Sequence, residues 1–361
     1  MAASGLDPST IFPFPLDDFQ LEAIDALNQG HSVVVSAPTG SGKTLVGEYA
    51  IHRALAHGQK VFYTTPLKAL SNQKLRDFRE AYGDDNVGLM TGDLSVNREA
   101  SIVVMTTEIF RNMLYAEASE HDDPLADVEA VVLDECHYMN DSQRGTVWEE
   151  SIIHCPPSVQ LVALSATVAN AGQLTDWIEK VHGPTTLVLS DYRPVPLQFS
   201  FCSAKGLHPL LNDAGTGLHP NCKVWRAPKG HKRKGRSAKP PQPEPPPISF
   251  VVAQMAERDM LPAIYFIFSR RGCDKAVRDL GIQCLVNKEE QARIRARLKA
   301  YSSDNPEAVR DGIHADALLR GIAAHHAGVL PAWKELIEEL FQQGLVKVVF
   351  ATETLAAGIN M

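Results

Sequence analysis

The sequence predicts an α/β fold made of two tandem doubly wound parallel-sheet domains, of which the second is incomplete at its C-terminus. Short apolar, β-branched runs alternate with segments of helical spacing over the first 200 residues, and the alternation resumes after residue 248. Continuous apolar strands separated by helices are typical of parallel sheets that are covered on both faces. The second domain is expected to be incomplete because the sequence ends just after a strand and a glycine-containing turn.

The elements that carry this prediction follow one another regularly along the chain. Strands of the first domain are predicted at 33–35, 61–63, 102–105, 131–133 and 161–164. Leu21, Ile24 and Leu27 have helical spacing and predict a helix before the first strand. In the second half, strands are predicted at 263–268 and 347–350, and a basic helix at 289–301. The predicted domains are therefore 1–200 and 248–361.

Residues 204–247 have a different composition and are predicted to form a flexible insert or linker. They are rich in glycine, lysine and proline and lack apolar periodicity, so they bury too little surface to offset their ordering entropy. The basic strip Lys223 to Lys239 holds eight basic groups and no acidic one, although the whole chain has a net charge of −8. This strip is compatible with an electrostatic contact to RNA or with a solvated linker.

Composition excludes several classes of protein. No run reaches the roughly 18 apolar residues of a membrane span. The six cysteines form no CxxC pair, so neither a zinc ribbon nor a disulfide framework is indicated. The N-terminus has neither the basic region nor the apolar core of a secretory signal. We expect a cytoplasmic monomer with no membrane partner.

The segment APTGSGKT at 37–44 has the pattern of a phosphate-binding loop, because it follows a predicted strand and opens a helix. Gly40 and Gly42 allow backbone N–H groups to turn inward, and the helix N-terminus adds a positive end. Lys43 is expected to reach the β- and γ-phosphates of ATP, and the Thr44 hydroxyl to bind Mg²⁺. The other predicted nucleotide-binding residues of the loop are Ala37, Thr39 and Ser41.

A second motif, Asp-Glu-Cys-His at 134–137, directly follows the apolar strand at 131–133. Asp134 is predicted to be a metal ligand, because a carboxylate at the end of such a strand can complete the Mg²⁺ site. Glu135 is placed to orient or deprotonate the attacking water. With Lys43, these residues predict an ATP-hydrolysing enzyme.

The order of the motifs resembles that of the superfamily-two helicases, with Ser165-Ala166-Thr167 and a second α/β unit after the Asp-Glu-Cys-His motif. Within that superfamily the sequence resembles the DExH-box RNA helicases of the superkiller, exosome-assisting type, including cyanobacterial and plastid members. Five segments carry this resemblance: TPLKALSNQ at 65–73, TTE at 106–108, RPVPL at 193–197, AHHAG at 324–328 and FATETLAAGINM at 350–361.

The resemblance implies two RecA-like domains that hydrolyse ATP and couple the hydrolysis to translocation on RNA or its unwinding. It implies that Gln20 recognises the adenine, and that His137 belongs to the catalytic motif and helps to couple the nucleotide state to the domain interface. Ser165 and Thr167 would couple the nucleotide state to the domain interface. From the second domain, nucleotide contacts are implied for Gly358 and Asn360.

The resemblance also implies contacts to single-stranded or partly duplex RNA at the carboxyl ends of the strands. Backbone amides, hydroxyls and a lysine there suit sugar–phosphate contacts without sequence readout. For Ser269 and Arg270, a helix cap with a solvated arginine is the alternative. RNA-decay or ribosome-associated proteins are the expected protein partners. The predicted RNA-binding residues are Pro66, Lys68, Thr107, Glu108, Ser269, Arg270, Thr352 and Thr354.

Two features qualify this prediction. In the family, an arginine that assists ATP hydrolysis lies beyond the motif at 350–361, so this chain is expected to bind ATP–Mg²⁺ and single-stranded RNA with weak turnover. An ATP-responsive nucleic-acid clamp or scaffold and a DNA-unwinding relative remain alternatives.

His325 and His326 are interpreted as a structural pair, because no cysteine or carboxylate lies at ligand spacing.

Overall fold

The computed structural model describes residues 5–116, 124–141, 145–222, 245–304 and 312–352. The chain divides into two compact units, Met1–Pro196 and Leu197–Met361. Each unit contains a parallel sheet covered by helices. No helix within the described ranges is both long enough and apolar enough to span a bilayer.

An eight-stranded sheet forms the centre of the first unit, in the order β4-β3-β5-β2-β6-β7-β1-β8. Strand β4 pairs antiparallel with β3, and the other neighbours are parallel. The five predicted strands are β1, β2, β5, β6 and β7, and β3, β4 and β8 were not predicted. The strands are β1 (Ser32–Ser36), β2 (Lys60–Thr65), β3 (Val87–Met90), β4 (Ser95–Val96), β5 (Ile102–Thr106), β6 (Val128–Leu133), β7 (Gln160–Ser165) and β8 (Thr185–Leu189).

Helices cover both faces of this sheet, which confirms the doubly wound α/β class. Neighbouring residues of β1 enter different cores: Val33 and Val35 pack in one apolar cluster, whereas Val34 packs in the other. The first cluster includes residues of α2, α3 and α4, and the second includes residues of α5, α6 and α7. The helices are α1 (Pro8–Ile11), α2 (Asp18–Asn28), α3 (Thr44–His57), α4 (Lys68–Tyr82), α5 (Thr107–Ala116), α6 (Gly145–His154) and α7 (Ala171–Val181).

The second unit contains a smaller parallel sheet in the order β11-β13-β12 and an antiparallel hairpin of β9 and β10. Its two apolar clusters lie on opposite faces of β13, because Val349 belongs to one and Phe350 to the other. The strands are β9 (Ser200–Ser203), β10 (Gly206–Pro209), β11 (Ala263–Phe266), β12 (Ile322–His325) and β13 (Val348–Ala351). The helices are α8 (Ile248–Ala256), α9 (Arg270–Asp279), α10 (Lys288–Asp304), α11 (Gly312–Leu318) and α12 (Pro331–Gln342).

The segment predicted to be a flexible linker has regular structure in its first part. Residues 204–222 contain β10, a bridge between Leu211 and Leu218, and a short 3₁₀ turn. The Asn212 side-chain oxygen accepts hydrogen bonds from the backbone N–H groups of Thr216 (3.0 Å) and Gly217 (3.3 Å). A local polar turn of this kind gives no apolar periodicity, so the sequence pattern did not reveal it. The whole of the basic strip lies outside the described residues, which end here at 222 and resume at 245.

Candidate active site

The loop between β1 and α3 has the backbone conformation that its glycines predict. Gly40 and Gly42 both have φ of +83°, in the left-handed region that glycine enters without steric cost. Backbone N–H groups in such a turn converge into a concave anion-binding surface. The adjoining N-terminus of α3, which begins at Thr44, adds its positive end.

Two buried side chains of this loop favour an anionic ligand. Ser41 and Lys43 are only 4% and 6% exposed. The Ser41 hydroxyl has no hydrogen-bond partner within the described part of the chain. The Lys43 ammonium lies 3.8 Å from the Glu135 Oε1 atom, longer than a normal hydrogen bond. Buried polar groups left this incompletely paired are costly, so they fit a bound phosphate chain.

Asp134 follows β6 and lies at the same edge of the sheet, where the carboxyl ends of parallel strands meet. Its carboxylate is 5% exposed, and each oxygen accepts one hydrogen bond. The Tyr63 hydroxyl donates to Oδ2 at 2.8 Å, and the Glu135 backbone N–H donates to Oδ1 at 2.9 Å. Both carboxylate oxygens keep free lone pairs, and hard oxygen ligands of this kind are those that Mg²⁺ prefers.

Glu135 has a strained backbone and a perturbed carboxyl group. Its φ of 52° places a non-glycine residue in the left-handed region, a kind of strain that clusters at functional sites. Burial raises the pKa of Glu135, and the neighbouring Asp134 carboxylate raises it further, whereas the Lys43 ammonium lowers it. A carboxylate with a raised pKa is a better proton acceptor, as a general base requires.

His137 lies between Glu135 and the Ser165-Ala166-Thr167 segment. Its Nδ1 atom is 3.2 Å from Glu135 Oε2 and 3.4 Å from the Ala166 backbone nitrogen. Burial lowers the pKa of His137, and the Lys43 charge adds to this effect. Nδ1 accepts the Ala166 N–H, and Glu135 Oε2 has no hydrogen-bond partner within the described part of the chain. A neutral ring nitrogen either donates or accepts, so Nδ1 would have to release Ala166 in order to donate to Glu135. Ser165 is buried and donates to the Ala166 carbonyl at 2.8 Å. Thr167 is exposed.

Gln20 joins the start of α2 to the phosphate-binding loop. Its side-chain Nε2 donates to the Gly42 carbonyl at 3.1 Å, and its Oε1 accepts the Asp17 N–H at 2.9 Å. The side chain is 5% exposed, and these two hydrogen bonds hold it against the phosphate-binding loop. The two remaining predicted loop residues differ in burial, Ala37 being fully buried and Thr39 exposed.

The predicted RNA-binding residues of the first unit share the active-site edge but differ in exposure. Lys68 is exposed and forms an ion pair with Asp93. Glu108 is partly exposed, whereas Pro66 and Thr107 are buried. The Thr107 hydroxyl donates to the Thr65 carbonyl at 3.2 Å, so it is already engaged within the protein. The contacts proposed for these residues remain predictions.

In the second unit, Ser269 caps a helix, as the alternative interpretation of the sequence proposed. Its Oγ accepts the Gly272 backbone N–H at 3.2 Å at the start of α9, and Arg270 is exposed. Thr352 directly follows β13, and its backbone N–H donates to the His325 carbonyl at 3.3 Å. Three further predicted residues lie outside the described residues: Thr354, Gly358 and Asn360.

Replacing Ser269 by alanine is expected to lower the free energy of unfolding by about 1 kcal/mol, because the α9 N-terminus loses its side-chain cap. Urea denaturation of the Ser269→Ala and Ser269→Asp variants measures this effect. Aspartate is also a good cap, so it should retain the stability. Equal stability of all three proteins would contradict the capping role.

The histidine pair binds two different helices. His325 Nε2 lies 2.8 Å from Glu338 Oε1 on α12, and His326 Nε2 lies 2.9 Å from Asp274 Oδ1 on α9. Among the described residues, no group of three or more histidine, cysteine, aspartate or glutamate side chains could hold a metal ion. The hydrogen-bond contacts to Glu338 and Asp274 support the interpretation of His325 and His326 as a structural pair.

The sequence did not single out two neighbours of the site, Tyr63 and Lys74. Tyr63 lies within an apolar strand, where it is indistinguishable from a core aromatic residue. The Lys74 ammonium lies 5.5 Å from the centre of the Tyr63 ring, and its charge lowers the pKa of Glu135. Lys74 directly follows the helicase-like segment 65–73, and this position was the one feature of the sequence that could have indicated its place near the site.

A parallel sheet with this loop and this acidic motif at one edge defines a RecA-like ATP-binding domain. Residues 17–174 match the family model described as DEAD/DEAH box helicase. These residues therefore form a DEAD/DEAH-type helicase domain, and the chain is similar over nearly its whole length to DExH helicases of the superkiller type. Members of the family bind ATP with a divalent metal, and the buried, incompletely paired groups of the loop fit such a ligand.

Three relatives illustrate the similarity. The chloroplastic DExH-box ATP-dependent RNA helicase DExH15 of Arabidopsis thaliana is 48% identical over 98% of this chain and 33% of its own length. The probable helicase HelY of Mycobacterium tuberculosis is 46% identical over 97% of this chain and 40% of its own. The human exosome RNA helicase MTR4 is 42% identical, over 97% and 34%. The chain thus spans about a third to two fifths of these relatives.

Proposed function

We propose that this protein hydrolyses ATP with Mg²⁺ and couples the hydrolysis to translocation on RNA or its unwinding. The observation that carries the proposal is the convergence of the phosphate-binding loop with Asp134 and Glu135 at one sheet edge, where Lys43 Nζ lies 3.8 Å from Glu135 Oε1. Phosphoryl transfer depends mainly on positioning and charge neutralisation, which buried and fixed groups provide.

Each residue of this edge has a distinct proposed role. The loop amides and Lys43 bind the phosphates, and Gln20 reads the adenine. Thr44 and Asp134 would hold Mg²⁺, which neutralises charge on the phosphates when bound. Glu135 accepts a proton from the attacking water, since its carboxyl group is buried and has a raised pKa.

Coupling is proposed to pass through His137. Because its Nδ1 serves either Glu135 or the Ala166 N–H, a change at the base alters the contact to the Ser165-Ala166-Thr167 segment. A small change of hydrogen-bond partner at such a site can shift the balance between two larger conformational states. The proposed RNA contacts of the first unit lie directly after β2 and β5, at the same edge of the sheet and at the N-termini of α4 and α5.

The proposed nucleic acid is RNA, because the relatives from Arabidopsis and human are named RNA helicases. RNA-decay proteins are the proposed partners, since the human relative's name places it with the exosome. A cytoplasmic location is retained as a proposal, with the plastid as the alternative that the Arabidopsis relative's name raises.

The test is the ATPase rate of this chain with and without single-stranded RNA, with single-stranded DNA of the same sequence as comparison. Glu135→Gln is the control. In line with the weak turnover predicted for this chain, we expect slow Mg²⁺-dependent hydrolysis that RNA stimulates and DNA does not, and that the variant lacks. Stimulation by DNA alone would favour a DNA-unwinding enzyme. ATP binding with a rate equal to that of the variant would favour a nucleic-acid clamp, and absence of ATP binding would refute the proposal.

A further inference from the structure

We propose that Tyr63 is a positioning residue that holds the Asp134 carboxylate in the orientation needed to bind the divalent metal. The inference rests on the proposed function, because it concerns the metal that accompanies ATP. Its basis is the hydrogen bond from the Tyr63 hydroxyl to Asp134 Oδ2, 2.8 Å long and fully buried.

The sheet register brings this pair together. Strands β2 and β6 are parallel neighbours in which Thr64 lies opposite Leu133, the residue before Asp134. The Asp134 backbone N–H donates to the Thr64 carbonyl at 3.0 Å, so the backbone ladder continues into the acidic motif. The main chain of Asp134 is therefore fixed by β2, and the side chain of Tyr63 on the same strand fixes its carboxylate.

The Tyr63 ring is itself held on two sides. It makes an edge contact with Phe78 of α4, with ring centres 5.0 Å apart. On the α3 side, a Cβ atom at Gly47 would lie 3.3 Å from Tyr63 Cε2, so the helix approaches the ring closely. A side chain confined in this way presents its hydroxyl in one position, as a positioning group requires.

Packing alone does not account for a tyrosine at this position. Phenylalanine would fill the same space without a buried hydroxyl, and a buried hydroxyl is costly unless it is hydrogen-bonded. The hydroxyl is bonded to Asp134 Oδ2, while Oδ1 accepts the Glu135 N–H. With one donor on each oxygen, the plane of the carboxylate is set. Removing hydrogen-bond partners of metal ligands typically costs about 10–100-fold in metal affinity.

The structure offers a matched control in Tyr49. It is also fully buried, and its hydroxyl has two acceptors within reach of its one proton, Asn28 Oδ1 at 2.8 Å and the Leu6 carbonyl at 3.0 Å, while it accepts the Leu6 N–H at 3.1 Å. It lies on α3, more than one turn beyond Thr44, and its hydroxyl is hydrogen-bonded to Leu6 and Asn28, which lie outside the phosphate-binding loop and the 134–137 motif. Tyr49→Phe therefore removes a buried hydroxyl and its hydrogen bonds without touching Asp134.

The experiment measures binding of a fluorescent ATP analogue to the full chain while Mg²⁺ is titrated, and again with the metal chelated. For Tyr63→Phe, we expect the Mg²⁺ concentration at half-maximal binding to rise about 10-fold, with metal-free binding unchanged. Tyr49→Phe should match the wild type. In an Asp134→Asn background, Tyr63→Phe should have no further effect, because it acts through that carboxylate.

The outcomes separate this inference from the proposed function. If the wild type binds the analogue in a Mg²⁺-dependent manner but Tyr63→Phe and Tyr49→Phe have the same Mg²⁺ midpoint, Tyr63 has only a structural role. The same conclusion follows if Tyr63→Phe weakens metal-free binding equally. If the wild type shows no Mg²⁺-dependent binding, the proposed function fails together with the inference.

Discussion

Replacing Glu135 by glutamine is expected to lower the rate of ATP hydrolysis by about 10²–10⁴-fold while ATP binding is retained. Glutamine has nearly the same shape, but its amide cannot accept a proton from water. The Lys43 ammonium, 3.8 Å away, loses a charged neighbour but keeps its position beside the phosphate-binding loop. Single-turnover hydrolysis and nucleotide titration of the same preparation measure the two quantities separately.

The pH dependence of the ATP hydrolysis rate should identify Glu135 as the general base. Burial and the Asp134 carboxylate raise the pKa of Glu135, so its proton is lost at a higher pH than from an ordinary glutamate. The base is active only when ionised, so the wild-type rate should fall as the pH is lowered through this raised pKa. The residual rate of Glu135→Gln should lack that step. Glu99→Gln, which changes an exposed glutamate paired with Lys60, should behave as the wild type.

Replacing Arg53 by methionine is expected to lower the free energy of unfolding of the first unit by about 3–5 kcal/mol. Arg53 is 1% exposed and lies 2.5 Å from Glu129 Oε1, at the start of β6. It also donates to the Leu27 carbonyl at 2.7 Å and to the Gln160 side chain. Methionine fills part of the space but leaves the buried Glu129 carboxylate without its arginine, with His57 Nδ1, 2.8 Å from Oε2, as its remaining partner.

Urea denaturation followed by circular dichroism measures this loss, and a double variant tests its cause. Arg53→Met combined with Glu129→Leu should recover much of the stability, because the buried carboxylate that lost its arginine is then absent. Lys60→Met serves as the comparison, since its pair with Glu99 is largely exposed and such pairs contribute at most about 1 kcal/mol. An Arg53 variant no less stable than Lys60→Met would show that the buried pair adds nothing.

The Arg53 contacts also explain why the active-site motifs share one rigid frame. Arg53 lies near the C-terminal end of α3. The N-terminal end of the same helix, at Thr44, adjoins the phosphate-binding loop. Glu129 is the second residue of β6, which leads to Asp134, and Gln160 is the first residue of β7, which ends at Ser165. The network therefore joins the three elements at the edge opposite the active site.

Several parts of the fold and site were predictable because their signals are local. The phosphate-binding loop and the 134–137 motif are contiguous, and each follows a run of buried apolar residues. The predicted strands became the centre of the sheet because a strand buried on both faces needs a continuous apolar run. In contrast, β4 has two residues, both exposed, and β8 is only partly buried, so neither has that pattern.

The sequence by itself determined the α/β class, the family and the edge of the sheet at which the chemistry is proposed. Tertiary structure alone decided how each polar side chain is used. The pairing of Tyr63 with Asp134 and of Arg53 with Glu129 spans more than 70 positions along the chain. Thr107 directs its hydroxyl inward to Thr65. Such partners depend on strand order and register, which long-range packing sets and no local pattern encodes.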